Sequence, residues 1–309
     1  MQRISHLLVI CCCVAVLLAL GVPALSQANN DAAIHLNLGL AFFRAGRLDE
    51  AIGEFRESLR FDPNFSDAHL ALGNAFVKKG DSESAIPEFR AAVRLKPQDA
   101  EAHLSLGAAL FRKNELDAAA TEYKETLRLS PNHSVAHYDL GLVYYDQGML
   151  DEAIGELQES LRLGRKSADA VRILAFAFAK KKDWDAAIIE YREALRLQPK
   201  DAETHNGLAA ALQAKGDLDG AIAELGEVLK LNPDDAAIHF NLASALQSKK
   251  DLNGAISEYR EALRLSPDPE THYGLGTALA AKGELDKAIN EYREAIRLRP
   301  EFAVGHYGL

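Results

Sequence analysis

The sequence predicts an all-α solenoid of eight helix-turn-helix repeats followed by the start of a ninth. Three observations carry that prediction. A closing phrase returns every 34 residues, as in EFRESLRFDP, EFRAAVRLKP, EYKETLRLSP and EYREALRLQP. One position in each unit is always alanine, and proline ends seven of the eight units. Within a unit, apolar and small residues recur at i, i+3, i+4 and i+7, the spacing of one helical face. A chain of 309 residues would otherwise suggest about two globular domains, but an internal repeat takes precedence over length.

Ahead of the repeats, Leu7 to Val22 form an unbroken apolar run after a short start bearing Arg3. The run is short of the roughly 20 residues a spanning helix needs. Pro23 breaks it, and the small residues Ala24, Ser26 and Ala28 follow. Residues 1–28 therefore read as a secretory signal cleaved after Ser26 or Ala28, with a membrane anchor through residues 7–22 as the alternative. Cys11, Cys12 and Cys13 all lie in that run, so the mature chain holds no thiol. Disulfides, thiolate catalysis and zinc held by sulfur are excluded with them. Ile10 stands before Cys11 where a lipid-anchored N-terminus would carry a small residue. Cleavage removes one cation and no acid, which takes the net charge from −10 to −11 and argues against a nucleic-acid partner.

The full repeats span 32–65, 66–99, 100–133, 134–167, 168–201, 202–235, 236–268 and 269–302, the seventh being one residue short. Positions within a unit are numbered here as slots from its first residue. Slots 4, 7, 8 and 11, such as His103, Leu106, Gly107 and Leu110, form the packed face of a first helix. The turn Lys113-Asn114-Glu115 leads to a second helix, which packs through slots 20, 24, 27 and 28, here Ala119, Tyr123, Thr126 and Leu127. Slot 20 is alanine throughout and slot 8 is glycine or alanine, which lets the helices approach closely. Proline at slot 32 stops the second helix because it has no amide hydrogen. Residues 303–309, AVGHYGL, match slots 1 to 7 of a ninth repeat. They are expected either to continue beyond Leu309 or to leave an uncapped end through which the chain self-associates.

The period, the pair Leu38-Gly39 with its counterparts at Leu72-Gly73, Leu106-Gly107 and Leu140-Gly141, the slot-20 alanine and the closing proline resemble the tetratricopeptide repeat over nearly all of the mature chain. The resemblance implies a right-handed superhelical solenoid whose first helices line a concave groove for an extended peptide or a partner helix. One departure is histidine at slot 4 in seven of the eight repeats, where the family usually has a large aromatic residue. Packed helices lie about 8–10 Å apart, whereas two nitrogens on one zinc each lie about 2 Å from it. Successive histidines therefore cannot share a metal, and they read as rings filling the seam between helices. No cofactor is expected.

By the same resemblance, slots 2, 5, 9, 12 and 13 of the first helices face the groove. In the first four repeats they supply Leu36, Leu40, Phe43, Leu70, Val77, Leu104, Phe111, Tyr138, Leu142 and Tyr145. Exposed apolar rows of this kind call for a cover, either a bound partner or the adjacent first helices themselves. In later repeats the stripe turns small and polar, with Asn206, Gln213, Ser244, Gln247 and Thr277. Some members of the family grip a terminal carboxylate with lysine at slot 5 and asparagine at slot 9; Leu36 and Leu40, then Leu70 and Asn74, do not reproduce that clamp.

Repeat 5 is irregular. It follows a unit that ends in Arg165 instead of proline, has Val171 at slot 4, and collects Lys166, Arg172, Lys180, Lys181 and Lys182. Arg172 and Lys180 occupy groove slots beside Asp139 and Asp146 of the previous repeat, which reads either as internal charge pairing or as a contact for an anionic ligand. HExxH, GxSxG and phosphate-loop patterns are lacking, and GLGTAL, Gly274 to Leu279, lies within a repeat helix without the third glycine. Two glycosylation triplets begin at Asn64 and Asn132, at repeat junctions. The expectation is an exported, non-enzymatic scaffold, periplasmic or secreted, that binds a protein or peptide. The alternative is the docking or regulatory arm of an enzyme whose catalytic domain lies beyond residue 309.

Overall fold

The structure is a computed structural model and describes residues 30–164 and 167–300. The signal or anchor segment with its cysteines, the pair Arg165 and Lys166, and the start of the ninth repeat lie outside the described residues. The chain divides between Gly148 and Met149 into two compact units. Unit 1 holds α1 (30–44), α2 (Leu48–Phe61), α3 (Ser66–Lys78), α4 (Ser82–Leu95), α5 (Ala100–Arg112), α6 (Leu116–Leu129) and α7 (Ser134–Asp146). Unit 2 holds α8 (Leu150–Arg162), α9 (Ala168–Lys180), α10 (Trp184–Leu197), α11 (Ala202–Lys215), α12 (Leu218–Leu231), α13 (Ala236–Ser248), α14 (Leu252–Leu265), α15 (Pro269–Ala281) and α16 (Leu285–Leu298). There is no strand among the described residues. The helix-turn-helix pattern read from the period is the one observed.

Local chemistry sets the helix ends. Each turn between the helices of a repeat passes through slot 15 in the left-handed region: Gly46, Gly80, Gly148, Gly216 and Gly283 at φ of 77° to 87°, and Asn114, Lys182 and Lys250 at 61° to 67°. Glycine takes that conformation without a Cβ clash, which explains its hold on the slot. The next residue often caps the second helix. Asp81, Asp217 and Asp251 accept from the amides of Ser84, Gly220 and Gly254 at 2.9 to 3.0 Å. Asp99 and Asp235 cap first helices in the same way.

The core of a repeat is a ring seated where a side chain is missing. A Cβ built on Gly73 would lie 2.5 Å from the Phe89 ring, and one on Gly39 would lie 2.5 Å from Phe55. Gly107 stands in the same relation to Tyr123, and Gly276 to Tyr292. In repeats 5 and 7, where slot 8 is alanine, the gap moves to slot 6 of the next repeat, Gly207 against Tyr191 and Gly274 against Tyr259, while repeats 4 and 6 carry Leu157 and Leu225 at slot 24 in place of a ring. The slot-20 alanines and these rings are almost fully buried. Stacking then covers the remaining face. Leu72 and Leu106 at slot 7 are 2% and 3% exposed, whereas Leu38, the same slot on α1, is 42% exposed because no described helix precedes it.

Alanine in place of glycine normally stabilises a helix by about 0.5–1 kcal/mol. At Gly73 the sign is expected to invert, because the added methyl must displace the buried Phe89 ring, at a cost of about 1–3 kcal/mol. Urea unfolding of Gly73→Ala, with the solvent-facing Gly53→Ala as control, checks this.

Candidate functional site

The slot-4 histidines do more than fill a seam. In His35, His69, His103, His205 and His239, Nδ1 lies 2.6 Å from the slot-23 carboxylate of Glu54, Glu88, Glu122, Glu224 and Glu258 respectively. His272 reaches Glu291 at 2.7 Å. On the other side of the ring, Nε2 donates to the carbonyl of the preceding repeat's closing proline. The pairs are His69 with Pro63, His103 with Pro97, His137 with Pro131, His205 with Pro199 and His239 with Pro233, at 2.9 to 3.1 Å. Carboxylates and carbonyls accept only, and at His69 and His239 this pair of acceptors favours the doubly protonated ring. Each such histidine ties both helices of its repeat to the end of the one before. Among the described residues, no three histidine, cysteine or acidic side chains converge as metal ligands.

Two irregularities in the sequence follow from this device. The residue missing before repeat 8 leaves Pro267 five positions ahead of His272 instead of six, and the Nε2 of His272 has no acceptor among the described residues. Repeat 5 loses the proline and the histidine together, as Arg165 and Val171. Its slot-23 carboxylate, Glu190, is left half-buried with no hydrogen-bond or ion-pair partner among the described residues, and burial, with Glu193 nearby, raises its pKa. Glutamate at slot 23 in all eight repeats was the signal for these pairs, unreadable until the fold brought slots 4 and 23 together.

The ten apolar groove residues all fall in unit 1 and all are half-buried. Leu36, Leu40 and Phe43 pack against the core around Phe55 and Leu72, so their inner edges are covered and their outer edges remain open. Lys78 Nζ lies 4.6 Å above the centre of the Phe43 ring, which places slot 13 of one repeat over slot 12 of the repeat before it. Within this apolar stripe Asn74 is half-buried, and its amide has no hydrogen-bond partner among the described residues. Arg44, Lys78 and Arg112 stand exposed at slot 13.

Unit 2 differs in chemistry. Asn241 donates to Asn206 at 3.3 Å, Gln247 to Thr277 at 3.0 Å, and Tyr259 to Gln247 at 3.0 Å, so amides of the polar stripe are engaged with one another. Reading that stripe as small and polar missed Phe176, Phe240 and Tyr273, whose rings meet Tyr191, Tyr259 and Tyr292 at 5.5 to 5.7 Å between centroids. Arg172 donates to Asp169 at 3.1 Å and to Glu203, with Asp201 at 3.6 Å. An anionic ligand at Arg172 would compete with three carboxylates. Lys180 ends α9, and Lys181 pairs with Asp151.

A stack of two-helix repeats closed by ring-in-glycine packing defines a helical-repeat protein. Three family models match the chain: the C-terminal domain of cilia and flagella-associated protein 70, over residues 15–235, and two tetratricopeptide-repeat models over 206–270 and 276–309. The chain belongs to the tetratricopeptide-repeat family. Similar solved structures include YrrB, described as a tetratricopeptide-repeat protein with an unusual peptide-binding site, at 25% identity and TM-score 0.56, covering 63% of this chain and 97% of that one. MamA is 28% identical with TM-score 0.52, covering 56% and 94%. The C-terminal part of a repeat protein from Cytophaga hutchinsonii, at 15% identity and TM-score 0.66, covers 77% and 98% and shares the fold. Among curated proteins, none matches the chain.

The Glu88 carboxylate raises the pKa of His69, with the Pro63 carbonyl assisting, against burial and the nearby Arg94. At His239, burial would lower it, but the Glu258 carboxylate, the Pro233 carbonyl and the nearby Glu261 outweigh that and raise it. A raised folded-state value contributes stability that is complete below the unfolded value of about 6.5 and is lost as pH rises through the folded one. Wild-type protein is therefore expected to lose more stability between about pH 6 and about pH 9 than the double variant His69→Gln/His239→Gln, compared by urea midpoints across that range.

Glu122→Gln and Glu190→Gln are expected to act in opposite directions. The first replaces the carboxylate that meets the buried His103 with a neutral amide and costs about 1–3 kcal/mol. The second relieves an unpaired, partly desolvated carboxylate and leaves stability at pH 7 unchanged or higher. Denaturant titration of both variants decides it.

Proposed function

We propose that the chain is an exported binding scaffold, without chemistry of its own, that holds an extended segment of a partner protein along the first helices of unit 1. The observation that carries this is the stripe itself: ten half-buried apolar residues on one face of α1, α3, α5 and α7, with the unsatisfied amide of Asn74 among them. Half-covered apolar edges gain from further burial, at roughly 25 cal/mol for each Å² removed from water. A side-chain amide carries both N–H donors and a carbonyl acceptor, so it can pair with the C=O and N–H of a peptide group in the partner's main chain. The peptide-binding site that gives the YrrB structure its description supports a peptide as the class of ligand. Export rests on the apolar run and small-residue pattern of residues 7–28, and a mature N-terminus at Gln27 or Asn29 in protein recovered outside the cytoplasm would establish it.

Phe43→Ala, Phe111→Ala and Tyr145→Ala are each expected to weaken partner capture about tenfold while leaving the helical circular dichroism intact. Gln213→Ala, in the polar stripe of unit 2, is expected to leave capture unchanged. Equal capture by both sets would remove the case for the unit 1 stripe.

A further inference from the structure

We propose that the unit 1 stripe selects an acidic partner: an extended segment with a carboxylate at every third residue, met in turn by Arg44, Lys78 and Arg112. This rests on the binding role proposed above and names the chemistry of its ligand. The three cations occupy slot 13 in successive repeats, at the ends of α1, α3 and α5. The position of Lys78 over Phe43 shows that slot 13 borders the apolar stripe. No carboxylate pairs with any of the three among the described residues. Several other cations of the same unit are paired, Lys79 with Asp49 at 2.6 Å, Lys96 with Asp67 at 2.5 Å and Arg128 with Glu125 at 2.7 Å, while Arg90 and Arg94, which also have no carboxylate partner among the described residues, lie on the second helix α4 away from slot 13. Arg56 and Lys124, on the second helices, lie over the rings of Phe76 and Tyr144.

A helix C-terminus favours a cation whatever the partner, through its dipole. That preference acts on every first helix alike, yet slot 13 is Asp146 on α7, Ala214 on α11, Ser248 on α13 and Ala281 on α15, with Lys180 the further cation on α9. The consecutive row of cations thus coincides with the apolar stripe of the first three repeats and not with helix ends in general.

Spacing narrows the ligand further. Adjacent first helices stand about 8–10 Å apart, and so do their slot-13 charges. A polyproline II segment has three residues per turn and rises about 3.1 Å per residue, so every third side chain returns to one face after about 9 Å. In a β-strand, by contrast, residues three apart point to opposite faces. The segment that fits therefore presents acidic side chains on one edge and apolar ones on the next, in register with the repeats.

The test uses the full chain and three labelled peptides, four repeats each of Leu-Pro-Glu, Leu-Pro-Gln and Leu-Pro-Lys, followed by fluorescence anisotropy at neutral pH. The Glu peptide is expected to bind on the order of tenfold tighter than the Gln peptide at low salt, and the difference should vanish at high salt. Reversing the row with Arg44→Glu, Lys78→Glu and Arg112→Glu is expected to transfer the preference to the Lys peptide. Should that triple variant not fold, Lys78→Gln alone is expected to weaken the Glu peptide by about threefold and leave the Gln peptide unchanged. Equal binding of the Glu and Gln peptides, abolished by Phe43→Ala and Phe111→Ala, would overturn the acidic preference and leave the apolar groove standing. No binding of any of the three would overturn both.

Discussion

The close approach of a slot-24 ring to a backbone that lacks a side chain is the constraint on which the rest of the molecule depends. Phe89 can sit against α3 only because Gly73 offers no Cβ, and Tyr191 and Tyr259 find the same relief one repeat further on, at Gly207 and Gly274. With the ring so placed, the two helices of a repeat pack at a short distance and slot 20 can hold nothing larger than alanine. That distance sets the rotation of every first helix, and hence which of its residues remain partly open. The stripe of Leu36, Leu40 and Phe43 is open on one edge because the opposite edge of the same helix is committed to the ring.

A second interaction joins repeats to one another. Proline ends a helix by withholding an amide hydrogen, and its carbonyl then accepts from the histidine six residues later, whose other nitrogen meets the slot-23 glutamate. Three residues distant in sequence thus share one proton-bearing group at each junction. They also fail together. Where Arg165 replaces the proline, Val171 replaces the histidine, and Glu190 keeps a carboxylate that burial pushes toward the neutral form. At His69 and His239, whose pKa the neighbouring glutamate and proline carbonyl raise, pH enters the energetics of the fold.

The two units carry the same scaffold and different surfaces. In unit 1 the open face is apolar, edged by cations that pair with no carboxylate among the described residues. In unit 2 amides such as Asn206 and Asn241 bond to each other, aromatic rings lie on the core tyrosines, and Arg172 is surrounded by acids. Slots 5, 9, 12 and 13 vary most between the units because they lie at the half-covered edge of the packing, whereas slots 7, 8, 11, 20 and 24 lie within it. The contrast between the two units is one of surface chemistry, not of fold.

Periodicity alone determined the helix-turn-helix architecture, the proline stop after each second helix and the small residues at slots 8 and 20. Each of these is a local consequence of 3.6-residue geometry, of proline's missing donor or of glycine's missing Cβ, and each is repeated often enough to be legible. Tertiary structure decided what local rules cannot reach. Glu122, at slot 23, has no cationic partner within helical reach in the sequence, and folding sets it 2.6 Å from a histidine nineteen positions earlier. Phe176, Phe240 and Tyr273 go unnoticed in a stripe read as small and polar, and folding sets them on the core tyrosines. Arg44, Lys78 and Arg112 could be recognised as lacking carboxylate partners only once the positions of the surrounding acids were known. Pairing across a helix seam is set by which slots face each other in space, and a linear pattern records the slots without the facing.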